Sequence, residues 1–368
     1  MIDIYKDLLT RRGKREILQN HYPVDYSQEE ALKEMEPLLD KIYLEADKCL
    51  QTVREAIGAQ EAYLIINYDP VNSSAGPNGL SNVTPYVVAG WEAEFFQTIH
   101  YHCSDWDDIV TDLDCPKMFS ALKRGKIGLY NAMMEYTSMT VHYHELAHLV
   151  QRKGELQADY RAPQGAPGAV NDVPISHLSE IDADNFAMDL LAQRIAGKFD
   201  PKDVDQALIP SIEGEIGLAI ASNIRYWVLA KERTGKDIYF AEESHPHPFI
   251  RMHNMQGKLF EALKMHLPDG IVLDEEKVMA EAYQLTERMC FVADFIPNCA
   301  TEMKEAIVAN REAIEQYLIK VEQQSKSIEE LCVHQDKINI SVSKATRSDA
   351  TIPNNAQLDL NDAERSGD

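Results

Sequence analysis

Residues 141–150 read Val141-His142-Tyr143-His144-Glu145-Leu146-Ala147-His148-Leu149-Val150, and His144, Glu145 and His148 within them form the HExxH pattern. Met139, Val141, Leu146, Leu149 and Val150 give the segment an apolar setting that reads as a helix. On a helix, positions i and i+4 project from one face, so both imidazoles reach a single ion while Glu145 lies beside them. Two neutral imidazoles hold a metal without cancelling its charge, and a neighbouring carboxylate can take a proton from activated water. The apolar surroundings imply partial burial, and buried polar groups require partners. Tyr143, adjacent to His144, turns away from this face and reads as core packing.

A catalytic zinc normally takes three protein ligands, and the segment Ser179-Glu180-Ile181-Asp182-Ala183-Asp184-Asn185 carries the third candidate. Glu180 and Asp184 again stand at i and i+4. With Glu180 on the metal, Asp184 is placed to accept a hydrogen bond from the outer nitrogen of a ligand histidine and so set its tautomer. Small Ala183 permits close helix approach, and Asp182 is expected to point elsewhere as a spare carboxylate. Without the upstream motif the same acids would read as a helix first turn favoured by the dipole. Further on, Ser244-His245-Pro246-His247-Pro248-Phe249-Ile250-Arg251 reads on physical grounds as the start of a helix near 249, with Ser244 and the prolines as its signal. His142, His247 and His253 have no assigned role.

Taken together, these three segments resemble the gluzincin metallopeptidases. The Ser244-His245-Pro246…Arg251 pattern is similar to that of the branch containing CAAX-processing and heat-shock membrane peptidases. The resemblance spans roughly residues 130–255. It implies zinc held between the HExxH helix and a glutamate helix by His144, His148 and Glu180, with an upstream strand whose edge receives the substrate backbone. It also implies that Glu145 is general base and acid, that His245 hydrogen-bonds the oxyanion of a tetrahedral intermediate, and that Arg251 holds the His245 loop or an acidic partner. Stabilising such developing charge is usually the largest catalytic effect. No spanning helix is present in the sequence, so membrane residence is not carried over. The soluble Lit-type phage-exclusion peptidases are similar in this respect, and they suggest a cytoplasmic protein or peptide substrate and a role in phage defence. Two alternatives remain: a catalytically silent zinc-binding regulatory or interaction protein with a zincin fold, and a helical structural module in which the motif is coincidental.

Around this centre the composition is that of a globular protein: 368 residues, 45% hydrophobic and 26% charged. Sixty acidic residues against 36 basic ones give a net charge of −24, spread along the chain, which disfavours nucleic-acid partners. Six cysteines, at 49, 103, 115, 290, 299 and 332, show no CxxC pair and read as free thiols in a reducing cytoplasm. The aspartates at 105, 107, 108, 112 and 114 lack the glycine and glutamate of an EF-hand loop and read as solvated. Nothing in the sequence specifies an oligomeric state.

The expected organisation is an N-terminal helical segment (1–60), a zincin-like metallopeptidase domain (61–267), a C-terminal helical segment (268–330) and a disordered tail (331–368). In the first, Ser27-Gln28-Glu29-Glu30 resembles a capping start, followed by Ala31, Met35, Leu38, Ile42 and Ala46 at helical spacing. Strands are expected on either side of the turn-rich residues 72–82. Helices are expected at 133–152, 178–197, 209–233, 249–266, 275–294 and 300–327. The fold class is α+β, predominantly helical, with a zincin-like core, a small sheet and additional helices at both ends.

Overall fold

The computed structural model describes residues 6, 24–33, 35–59, 61–67, 74–77, 86–92, 126–151, 173–199, 208–234, 237–240, 242–243, 245–294 and 298–326. At 31, 67, 74–77, 86–92, 126–130, 132, 227–234 and 292–294 it describes backbone alone. The acidic loop at 105–114, the Pro/Gly-rich 161–170 segment, Ser244 and the 331–368 segment lie outside the described residues.

Helix α1 (Glu30–Lys33) leads into α2 (Glu36–Ile57), whose first turn accommodates Pro37 and whose end is closed by Gly58 at φ +73, a left-handed position that favours glycine. Leu39, Ile42, Tyr43, Ala46, Leu50 and Val53 recur at helical spacing and form its buried face. Ser27 does not cap a helix; its hydroxyl donates to Asp25 instead.

Strands β1 (Glu61–Asn67), β2 (Ser74–Pro77) and β3 (Tyr86–Glu92) form a sheet of order β1-β3-β2, with β1 parallel and β2 antiparallel to β3. β2 corrects the sequence expectation, because it runs through residues that read as turn. The Tyr43 hydroxyl donates to the Leu64 carbonyl at 2.8 Å and the Val24 N–H donates to that of Ile66 at 2.7 Å, tying the N-terminal elements to β1.

The remainder is helical: α3 (Lys126–Gln151), α4 (Ile175–Ala196), α5 (Ile209–Thr234), α6 (Pro248–His266), α7 (Glu275–Asp294), α8 (Cys299–Ala309) and α9 (Arg311–Ser325). α3 begins earlier than its apolar pattern suggests, and the expected helix 300–327 is two helices meeting at Asn310. α3 is buried nearly all round between Met133 and Val150, as a central helix must be. It packs against α2, α4, α5 and the β2–β3 side of the sheet, while α4 also packs against α6 and α9. One apolar core runs from Val24 to Val321, and Tyr143 lies in it, fully buried. Among the described residues no helix is long and apolar enough to cross a membrane, and Cys49, Cys290 and Cys299 are buried thiols outside any disulfide.

Candidate metal centre

The packing of α3 on α4, with α6 across α4, brings the separate sequence segments to one place. His144 Nε2 lies 3.0 Å from His148 Nε2 and 3.4 Å from Glu180 Oε2, and His148 Nε2 lies 3.3 Å from Glu180 Oε1. The three residues form a group whose ligand atoms all fall within 4.8 Å of one another. A tetrahedral zinc with bonds of about 2.0–2.1 Å sets its ligand atoms about 3.3–3.4 Å apart, close to this triangle.

The partners at the outer nitrogens fix what the inner ones can do. Asp184 Oδ1 lies 3.0 Å from His144 Nδ1, and an ionised carboxylate only accepts, so that nitrogen carries a proton. His148 Nδ1 lies 2.8 Å from Gln151 Oε1, while Gln151 Nε2 donates to the Ser179 carbonyl at 3.0 Å and to Asp182 Oδ2 at 2.9 Å. Asp182 is therefore not the spare carboxylate expected from the sequence; it is buried and holds the amide that meets His148. Both Nε2 lone pairs then converge, an arrangement that calls for a shared proton or a cation.

Arg251 supplies the balancing charge. Its Nε and Nη2 reach the Asp184 carboxylate at 2.8 and 2.7 Å, and its Nη1 reaches Glu180 Oε2 at 2.8 Å. Burial would push both carboxyls up, but Arg251 with His144 and His148 holds Glu180 well below the usual carboxylate range, and Arg251 with His144 lowers Asp184. With Arg251 on Oε2, the other oxygen, Oε1, faces His148 and His245.

For His144, burial favours the neutral ring, yet hydrogen bonds to Asp184 and Glu180 raise its pKa to about 9. This is above the unfolded value of 6.5, so the proton stabilises the metal-free site fully below about pH 6.5 and is lost as pH rises through about 9. A metal must displace that proton. Zinc affinity, measured by chelator competition, is expected to strengthen roughly tenfold per pH unit from about 6.5 to 9 and then to level; a flat profile would deny His144 this role.

Glu145 follows His144 on α3, half-buried and one turn before His148. His245 stands at the rim: its side chain is 62% exposed, and Nε2 lies 3.7 Å from Glu180 Oε1. The helix start after it is capped by His247, whose Nδ1 accepts from the Phe249 N–H, with Pro248 in the first turn. The cap is thus His247 rather than Ser244. His142 is buried and hydrogen-bonded to the Ala46 carbonyl, away from the centre, and His253 lies on α6, lowered by burial and by Arg311.

His177, one turn before Glu180, was not singled out by the sequence. Its Nε2 donates to the Glu243 carbonyl at 2.7 Å, so its Nδ1 accepts from the Tyr317 hydroxyl at 2.5 Å. Tyr317 also packs on Phe240, with ring centroids 5.6 Å apart, and Tyr239 packs on His247 at 4.9 Å. The segment leading to His245 is thereby strapped to α4, α6 and α9. Comparison with protein-family models, curated proteins and solved structures finds no match to this chain.

Proposed function

We propose that this chain is a zinc-dependent endopeptidase, with His144, His148 and Glu180 as the metal ligands. The observation that carries the reading is the convergence of two imidazole nitrogens and a carboxylate, each imidazole held at its outer nitrogen by an acceptor. Structural zinc sites are commonly closed by four ligands, whereas three with an open position suit catalysis. Bound there, zinc supplies a Lewis acid that polarises a carbonyl and acidifies water.

The chain's own residues do the rest. Glu145 takes a proton from the attacking water and returns it to the leaving amine. His245, exposed at the rim, reaches a substrate carbonyl and donates to the oxygen as negative charge develops on it. Arg251 keeps Glu180 and Asp184 ionised, and through Asp184 it keeps the His144 lone pair directed inward. Among the described residues β2 pairs on one side only and packs on the helix that carries His144 and His148, so it offers a strand edge that an extended peptide could join. The resemblance to Lit-type peptidases supports a cytoplasmic protein substrate and a phage-defence setting.

Glu145→Gln separates metal binding from chemistry. The variant is expected to keep zinc while cleavage falls by about 10²–10⁴-fold, the usual worth of a general base. The measurement is terminal proteomics of cells induced for wild type or variant: new cut sites should appear with wild type alone. Identical termini in the two samples, with zinc retained in both, would favour the silent zinc-binding regulatory protein.

A further inference from the structure

Gln151 closes α3, three residues after His148 and on the same helix face. Its side-chain orientation is not free. The Ser179 carbonyl and the Asp182 carboxylate are both acceptors, at 3.0 and 2.9 Å from one terminal atom, so that atom must be the amide nitrogen. The amide oxygen is left facing His148 Nδ1 at 2.8 Å, which therefore bears the proton, and the Nε2 lone pair is directed to Glu180 and His144. The two ligand histidines are thus held by different chemistry: His144 by a carboxylate shared with Arg251, His148 by a neutral amide braced from the opposite helix.

We infer that Gln151 is a positioning residue that sets the tautomer of His148, and through it the zinc affinity of the site, with Asp182 and the Ser179 carbonyl aiming its amide. The inference rests on His148 being a metal ligand. The amide stands between His148 and the Asp182 carboxylate, so no carboxylate takes the Nδ1 proton directly. Because the amide's two anchors lie on α4, the tautomer also depends on the register between α3 and α4.

The test uses the full chain and zinc itself, titrated against a chromophoric chelator, beside long-range proton–nitrogen NMR of histidine-labelled protein. Gln151→Met keeps the length of the side chain and removes the amide. It is expected to weaken zinc binding by about 10–100-fold. In the zinc-free variant the His148 ring should also populate the Nε2–H tautomer that wild type excludes, a signature that loss of packing alone would not produce. Should Gln151→Met fail to fold, Asp182→Ala leaves Gln151 in place but removes one anchor, and a several-fold loss with the same tautomer mixing is expected. Wild-type affinity, or an unchanged His148 tautomer, in the folded variant would overturn the inference. His148→Ala separates the two layers. If it binds zinc as wild type does, the metal reading fails and this inference with it; if it loses zinc while Gln151→Met retains it, only the role of Gln151 falls.

Discussion

Glu180→Ala is expected to abolish zinc retention by the purified chain while leaving it folded. Structural zinc sites bind with roughly 10–16 kcal/mol shared among their ligands, so one ligand is worth about 3 kcal/mol, or a loss of more than a hundredfold. The substitution is informative because the surroundings tolerate it. Arg251 keeps its two hydrogen bonds to Asp184, at 2.8 and 2.7 Å, so removal of Glu180 does not strand the buried guanidinium. Asp184 still holds His144, and Gln151 still holds His148. Elemental analysis after dialysis should show about one zinc per chain for wild type and little for the variant. Equal zinc in both would remove Glu180 from the ligand set and return the HExxH segment to coincidence.

Arg194→Leu is expected to produce the largest loss of stability. Arg194, on α4, donates to Glu135 on α3 at 3.0 Å through Nε and pairs with Glu45 on α2. Lys41 reaches the other oxygen of Glu135 at 2.8 Å. Nearby, Lys198 joins Glu215 at 3.0 Å and the Tyr136 hydroxyl at 2.6 Å. Removing the guanidinium leaves Glu135 buried with its principal counter-charge gone, which typically costs about 3–5 kcal/mol. That is a large fraction of the roughly 5–15 kcal/mol by which domains are stable. A fall in Tm on the order of 5–10 °C by calorimetry is expected, and a shift of a degree or less would show the network to be dispensable.

The acid side of the same experiment has a definite sign. Burial would raise the Glu135 carboxyl, but Arg194, Lys198 and Lys41 hold it well below its ordinary value of 4.5. Its contribution is complete above about pH 4.5 and is lost as pH falls through the lower native value. Arg194→Leu raises that native value, so the variant should begin to lose this contribution at a higher pH than wild type.

What the sequence disclosed, and what it withheld, follows from the range of each interaction. His144 and His148 were legible because helical spacing alone puts them on one face, and the Glu180–Asp184 pair repeats that logic. The long helices announced themselves through apolar periodicity. The break at Asn310 did not, because Ala300, Met303, Ile307, Ile314, Tyr317 and Val321 keep one spacing across it and no proline or glycine marks it. β2 was hidden because its residues carry turn chemistry and their strand character comes from pairing with β3. Gln151 was within reach, standing one turn after His148 on a shared face. Its significance was not, since the anchors Ser179 and Asp182 come from another helix. The use of Asp182, the Tyr317 brace on His177 and the Arg194 cluster all depend on partners brought together by packing, which no local pattern encodes.

The brace on His177 also sets an order of events during synthesis. His177 and Tyr317 are 140 positions apart, so at about 5–20 residues per second the ribosome takes roughly 7–28 s to deliver the second after the first. From the completion of α4 until Tyr317 is added, the nascent chain carries both candidate ligand helices, but His177 lacks the hydroxyl that bonds its Nδ1 and Phe240 lacks the ring it packs on. On the proposed reading as a peptidase, the segment that carries the oxyanion donor is thus braced from α9 only late in synthesis, after every proposed ligand has been made.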